Sequence, residues 1–127
     1  MLSGVCVGTN DLEKAGAFYD VLLETIGMTR RVSVENEIGY SSDGVDTTFW
    51  VLTPFDGNAA NFGNGSQVMF AARDEESVQA FHAAAIKMGG TDEGLPGPRD
   101  YSPDYYGAYV RDLDGNKLHV QVDRRLR

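Results

Sequence analysis

The chain contains an internal repeat. Residues 10–27 align with residues 73–90 at a constant offset of 63. The identical pairs are Asp11 and Asp74, Glu13 and Glu76, Ala17 and Ala80, Phe18 and Phe81, and Gly27 and Gly90. Each copy follows a short apolar segment, residues 5–8 in the first and 68–72 in the second. A repeat of this kind predicts two β-α modules, each about half the chain.

The length of 127 residues predicts one domain, so both modules belong to it. We place module 1 at about 1–55 and module 2 at about 64–123 within a domain spanning residues 1–127. The net charge of -8 excludes nucleic acid and anionic membranes as expected partners. Without a basic, apolar leader or an apolar run of about 20 residues, a cytoplasmic location is expected.

The single cysteine, Cys6, excludes an intrachain disulfide and a cysteine-rich zinc site. A small core residue is the expected role of such a cysteine. Nucleophilic and nucleotide-dependent chemistry are also excluded, because the chain has neither a Ser-His-Asp spacing nor a glycine-rich phosphate loop followed by a helix.

The apolar spacing predicts one helix in each copy of the repeat. The first begins at Asn10, with Glu13 completing a capping box, and ends near Gly27. The second begins at Asp74 and ends at Gly89. Strand-like segments follow each helix and give each module the order β-α-β-β-β: 29–35, 38–41 and 47–52, then 91–95 less clearly, 105–112 and 116–122.

The register of the last hairpin follows from its turn. Residues 112–116 suit a three-residue loop with Gly115 in the left-handed conformation, which places Tyr109 opposite His119. Leu118 and Val120 alternate with His119, so the aliphatic residues face a helix and the histidine faces the other way. The open face of the sheet is therefore expected to contain Gly4, Gln67, Tyr109 and His119.

Several short motifs occur in a definite order along the chain: 9–12 (TNDL), 18–19 (FY), 63–66 (GNGS), 80–82 (AFH), 89–94 (GGTDEG), 105–106 (YY) and 111–116 (RDLDGN). In this order and spacing they resemble the vicinal oxygen chelate superfamily, which includes glyoxalases, bleomycin resistance proteins and extradiol dioxygenases. The resemblance implies an α+β fold in which two βαβββ modules form one cupped mixed sheet with the helices on its convex face. We also expect a homodimer.

Members of that superfamily hold a divalent metal with side chains of the first and last strands of the modules. The resemblance places this ligand set on Gly4, Gln67 and His119. Gly4 has no side chain, Gln67 is a weak oxygen donor, and His119 replaces a carboxylate with a neutral nitrogen. We therefore predict no metal cofactor; if a divalent metal binds, Gln67 and His119 hold it.

The candidate catalytic residues are His119 and Tyr109. His119, expected to be half-exposed on its strand, is a general base, a ligand or a hydrogen-bonding anchor, or else an ordinary strand histidine. Tyr109 is an acid or an aromatic filler, and Gln67 orients the bound molecule.

The remaining candidates bind the small molecule. Either Phe49 or Trp50 forms a wall of the cup, since the pattern of their strand leaves open which one faces it. Arg99 is a candidate for holding an anion. Tyr106, with Tyr101 and Tyr105, forms an aromatic lid or ties the long loop down.

Two classes of function are compatible with this pattern. In the first, a glyoxalase-like enzyme binds and transforms a small organic molecule by lyase or isomerase chemistry. In the second, a metal-free protein of the bleomycin-resistance type sequesters a compound in the cup. A metal-dependent dioxygenase-like enzyme is a further alternative, because one fold supports several chemistries.

Overall fold

The structure, a computed structural model, describes residues 1–126 and contains two modules with the same order of elements. Module 1 consists of β1 (Val5–Gly8), α1 (Leu12–Glu24), β2 (Thr29–Ser33), β3 (Glu37–Ser41) and β4 (Thr47–Leu52). Module 2 consists of β5 (Val68–Ala72), α2 (Glu75–Lys87), β6 (Thr91–Gly97), β7 (Gly107–Arg111) and β8 (Lys117–Val122). A short 3-10 helix, Arg124–Leu126, follows β8. No helix within residues 1–126 is long and apolar enough to cross a membrane.

The two helices begin at equivalent aspartates. Asp11 caps α1 by accepting a hydrogen bond from the amide of Lys14 at 3.0 Å, so the predicted cap, Asn10, lies one residue too early. The side chain of Asn10 instead binds the backbone amide of Ala60 at 2.7 Å. The predicted cap of α2, Asp74, is confirmed, since its carboxylate accepts from the Ser77 amide at 2.8 Å.

Each module forms a four-stranded mixed sheet, in the orders β1-β4-β3-β2 and β5-β8-β7-β6. The α+β fold with two βαβββ modules is thus confirmed, and the predicted cupped sheet is divided into two halves. The inner edge strands β1 and β5 line shared clefts between the modules. We call this boundary the seam. Helices α1 and α2 contact each other, and one apolar core runs through both modules.

Polar side chains cross the seam at one end. Asp112, in the turn between β7 and β8, is buried and accepts a hydrogen bond of 2.5 Å from the hydroxyl of Tyr19 on α1. Burial raises the pKa of this carboxyl. Asp114 in the same turn accepts a bond of 2.6 Å from the hydroxyl of Thr9. These bonds set the orientation of module 2 relative to module 1.

Candidate functional site

The strand ladders define the residues that face away from the helices. In module 2, His119 pairs with Met69 on β5 and with Tyr109 on β7, which confirms the predicted register of the last hairpin. In module 1, Trp50 pairs with Cys6 on β1 and with Gly39 on β3. The centre of the open face, called the concave face below, therefore contains Gly39, Trp50, Cys6, Met69, His119 and Tyr109.

His119 is buried rather than half-exposed, with 3% of its surface accessible. Its ring stacks on Tyr109 with centroids 4.2 Å apart, and its Nε2 atom forms a hydrogen bond of 2.5 Å with the hydroxyl of Tyr105. The expectation of a half-exposed histidine was wrong because the loop of residues 98–106 folds back over the strand. Tyr105 is the residue of that loop that covers the imidazole.

The environment keeps this group of side chains uncharged. Burial, followed by the positive charges of Lys117 and Arg99, lowers the pKa of His119. Burial also raises the pKa of Tyr105 and that of Tyr109. Nδ1 of His119 is buried and has no hydrogen-bond partner among the described residues. A neutral imidazole and protonated phenols are therefore the stable forms near neutral pH.

The tyrosines of the loop bind to the sheet. The hydroxyl of Tyr101 lies 2.9 Å from that of Tyr109, and the rings of Tyr101 and Tyr105 meet edge to face at 4.8 Å. Of the two predicted roles, these contacts favour tying the loop down. Tyr106, predicted to bind the ligand, lies on the other side, where its hydroxyl accepts a bond of 2.9 Å from Gln79 on α2. That assignment was wrong because Tyr105 faces the sheet and its neighbour faces the helix.

The structure decides between Phe49 and Trp50. Phe49 is 1% exposed, and its ring lies 5.1 Å from those of Tyr19 and Phe70 in the core, so it does not face the cup. Trp50 is on the concave face and is half-buried. It lies across Gly39, where an added Cβ atom would be 2.9 Å from the indole carbons. Trp50 is therefore the aromatic residue of β4 that faces the cup.

Arg99 lies in the loop after β6, and Gln67 lies just before β5. The guanidinium of Arg99 donates to the carbonyls of Leu95 at 2.7 Å and Pro98 at 3.1 Å, so it mainly braces its own loop. Gln67 is exposed at the start of β5 and lines a cleft of about 300 Å³ at the seam together with Cys6. Cys6 is exposed rather than part of the core, because its strand turns it towards the concave face.

The residues at the superfamily's ligand positions do not fit a divalent metal. A Cβ atom on Gly4 would lie 2.8 Å from the carbonyl oxygen of Thr48, so the backbone leaves no room for a side chain there. His119 is covered, and Tyr105 occupies its Nε2 atom. Only the amide of Gln67 remains, whereas a catalytic metal needs three or four ligands. No group of three or more His, Cys, Asp or Glu side chains within residues 1–126 could hold a metal ion.

Comparison with solved structures identifies the family. A glyoxalase/bleomycin resistance protein from Albidiferax ferrireducens is 45% identical over 97% of this chain and 98% of that chain, with a TM-score of 0.87. The chain belongs to the glyoxalase/bleomycin resistance protein family. It matches no family model and no curated protein sequence.

Two more distant structures share the fold of this family. A glyoxalase/bleomycin resistance protein/dioxygenase family enzyme from Burkholderia phytofirmans is 18% identical over 94% of this chain and 96% of that chain, with a TM-score of 0.72. The fosfomycin resistance protein FosX from Listeria monocytogenes is 17% identical over 97% of this chain and 93% of that chain, with a TM-score of 0.69. At these identities the similarity extends to the fold alone.

Met69, Cys6 and Gly39 of the concave face were absent from the predicted site. Met69 is 57% exposed beside His119, and strand parity in the sequence was sufficient to place it there. Tyr105 was predicted either to form part of a lid or to tie the long loop down. Its bond to His119 depends on the path of a loop, which no local pattern specifies.

Proposed function

We propose that this member of the glyoxalase/bleomycin resistance protein family binds a small, flat, largely apolar organic molecule on its concave face without a metal. The observation that carries the proposal is the exposure of apolar side chains at the centre of that face. Met69 is 57% exposed and Cys6 is exposed, next to the indole of Trp50. Binding sites for small molecules are mostly apolar and concave, with a few polar groups.

Polar groups at the edge of this surface can orient the ligand. Gln67 and Lys117 line the same cleft as Cys6. The ammonium group of Lys117 lies 5.0 Å from the centre of the Tyr109 ring, a geometry that favours a cation over an aromatic face. An amide and an ammonium group beside an apolar floor suit an aromatic molecule that carries an oxygen or anionic substituent.

The same contacts favour binding over turnover. A general base needs to reach the proton that it removes, and His119 is buried with its Nε2 atom bound to the hydroxyl of Tyr105. Metal-free sequestration is therefore the function that we propose, with a homodimer as its expected assembly. Lyase-type and dioxygenase-like chemistry remain predictions from the resemblance.

Fluorescence titration tests the binding site directly, because Trp50 is the only tryptophan in the chain. With anilinonaphthalene sulfonate as the probe, we expect saturable quenching of Trp50. Met69→Lys should weaken binding at least about tenfold, since it places a charge in the apolar floor. Val34→Lys is the matched control: Val34 is 56% exposed on a turn outside the concave face, and its substitution should change the affinity less than about twofold.

Equal weakening by both lysine variants would contradict the proposed site. Elemental analysis of the dialysed protein tests the metal-free state separately. We expect well below one transition-metal ion per chain, and a ratio near one would require a ligand set other than Gly4, Gln67 and His119.

A further inference from the structure

The two ends of the seam differ, although the modules are repeats. The strand pairing shows which positions of the two modules are equivalent: Val5 pairs with Phe49 in module 1, and Val68 pairs with Leu118 in module 2. When the same comparison is continued along the β3–β4 and β7–β8 ladders, the turn of residues 42–46 is equivalent to the turn of residues 112–116. The seam has one end at each of these turns. Similar packing is expected at both ends of a repeat of this kind, so a difference between them points to a specialised role.

The end at residues 112–116 is closed by side chains that cross the seam. The amide of Asn116 donates to the carbonyl of Gly8 at 2.9 Å, and Asp114 accepts from the Thr9 hydroxyl at 2.6 Å and the Asn10 amide at 2.9 Å. These bonds join the turn to β1, and Gly8 and Asn116 also line the cleft of about 300 Å³ beside them. We call this the closed end.

The end at residues 42–46 is built differently. The residues equivalent to Asp112, Asp114 and Asn116 are Ser42, Gly44 and Asp46, and all three are exposed. Asp43 stabilises this turn internally, because its carboxylate accepts hydrogen bonds from the amides of Val45 and Asp46, both at 2.8 Å. Ala72 stands at the position equivalent to Thr9 and has no hydroxyl to offer. We call this the open end.

A cavity of about 500 Å³ occupies the open end. Its walls include Val5, Met28, Phe49, Val68 and Phe70. Phe49 is 1% exposed, Phe70 7% and Met28 8%, so the cavity reaches residues of the core. The rings of Phe49 and Phe70 meet edge to face across the seam at 5.1 Å.

From this geometry we infer that the open end is a second small-molecule site, which takes a single-ring aromatic alcohol such as a phenol. Ligand pockets of about 300–1,000 Å³ are usual, and two phenylalanine rings offer the edge contacts that an aromatic ring prefers. Ser42 and Thr48 line the cavity, and a hydroxyl group on such a residue suits one polar substituent on the ring. Arg73 also lines the cavity, but it already takes part in an interaction within the protein, so the proposed site does not depend on its charge. Met69 of the concave face also lines this cavity, whereas Trp50, Tyr109 and His119 do not.

Methyl NMR with p-cresol as the probe tests this site. The methyl signals of Val5, Met28 and Val68 should shift saturably, with a Kd of about 1 mM for a molecule of this size. Ser42→Phe places a ring at the mouth of the cavity and should weaken p-cresol at least about fivefold. Val45→Phe is the matched control, because Val45 lies in the same turn but does not line the cavity, and its effect should stay below about twofold.

Shifts at these methyls that do not saturate would overturn the site, and so would equal weakening by the two phenylalanine variants. If the melting temperature of Ser42→Phe is well below that of Val45→Phe, the Val5→Phe variant is measured instead. Val5→Phe fills the cavity from β1 and should also weaken p-cresol binding at least about fivefold. Ser42→Phe should leave the quenching of Trp50 by anilinonaphthalene sulfonate within about twofold. Failure at one site is therefore distinguishable from failure at the other.

Discussion

The concave faces of the two modules use equivalent positions in different ways. Gly39 and Trp50 pair in module 1 at the positions where Tyr109 and His119 pair in module 2. In both modules a ring lies against the neighbouring strand, since Trp50 covers Gly39 and His119 stacks on Tyr109. Trp50 remains half-buried at the surface, whereas His119 is 3% exposed.

The difference comes from the connection before the third strand of each module. Residues 34–36 join β2 to β3 in a tight turn, whereas residues 98–106 join β6 to β7 and bring Tyr101 and Tyr105 onto the sheet. Duplication of a scaffold thus does not duplicate a site. The length and composition of one loop determine which half of the cup stays open to a ligand.

The largest expected effect is on the closed half. His119→Ala should lower the free energy of unfolding by about 3 kcal/mol, because it leaves a cavity under the loop and removes the partner of the Tyr105 hydroxyl. Trp50→Ala, at the equivalent position of module 1, should lose about 1–2 kcal/mol, since that ring is only partly buried. Urea denaturation measures both. A larger loss for Trp50→Ala would reverse the comparison.

Gly39→Ala tests whether the open half depends on the absence of a side chain. The added Cβ atom would lie 2.5 Å from Cγ2 of Thr47 and 2.9 Å from the Trp50 ring, so the indole must move. We expect a loss of about 1–2 kcal/mol in stability and a changed Trp50 emission maximum. An unchanged melting temperature with unchanged emission would show that Trp50 does not rest on Gly39.

Two hydroxyl deletions compare the inner and outer tyrosines of the loop. Tyr105→Phe removes the bond to His119 and should cost about 1 kcal/mol, because it leaves a buried imidazole nitrogen unpaired. Tyr101→Phe removes the bond to Tyr109 from a side chain that is 66% exposed, and should cost less than about 0.5 kcal/mol. Thermal melting of both variants is the measurement. Equal losses would mean that the loop is held as strongly at its rim as at His119.

The smallest effect is a dependence of stability on pH. The pKa of folded His119 lies below its usual value of 6.5, so the unfolded chain binds a proton first as the pH falls from about 7. Above about pH 7, His119 makes its full contribution to the free energy of unfolding. This contribution is lost as the pH falls through 6.5 towards the lower pKa of the folded state. His119→Gln should remove this loss, whereas His82→Gln, at the only other histidine, should retain it. Unfolding free energies at about pH 7 and pH 5.5 give the comparison.

Much of the fold could be predicted because its signals are local. The helix stripes, the cap at Asp74 and the pairing of Tyr109 with His119 each depend on residues close together in the chain. The cap of α1 was misplaced by one residue, because Asn10 and Asp11 are both good capping residues and Asn10 is used by the linker at Ala60.

The candidate site was predicted less well. Strand parity placed Tyr109 and His119 on the open face correctly, but it could not show that Tyr105 would cover the histidine. Strand parity also could not decide whether Phe49 or Trp50 faces the cup, since both are apolar and the strand β4 is partly buried on both faces. The side of the loop on which Tyr106 lies depends on α2, which is distant in sequence.

The sequence by itself determined the two modules, their element order and the register of the last hairpin, because repeats, periodicity and turn geometry act over short distances along the chain. Only the tertiary structure decided that module 2 is closed and module 1 open, and that residues 112–116 bridge one end of the seam while the larger of the two seam clefts lies at the other end. Those outcomes depend on contacts between Tyr105 and His119 across a loop, and between residues 112–116 and β1 across the whole chain. Local sequence patterns do not encode such contacts.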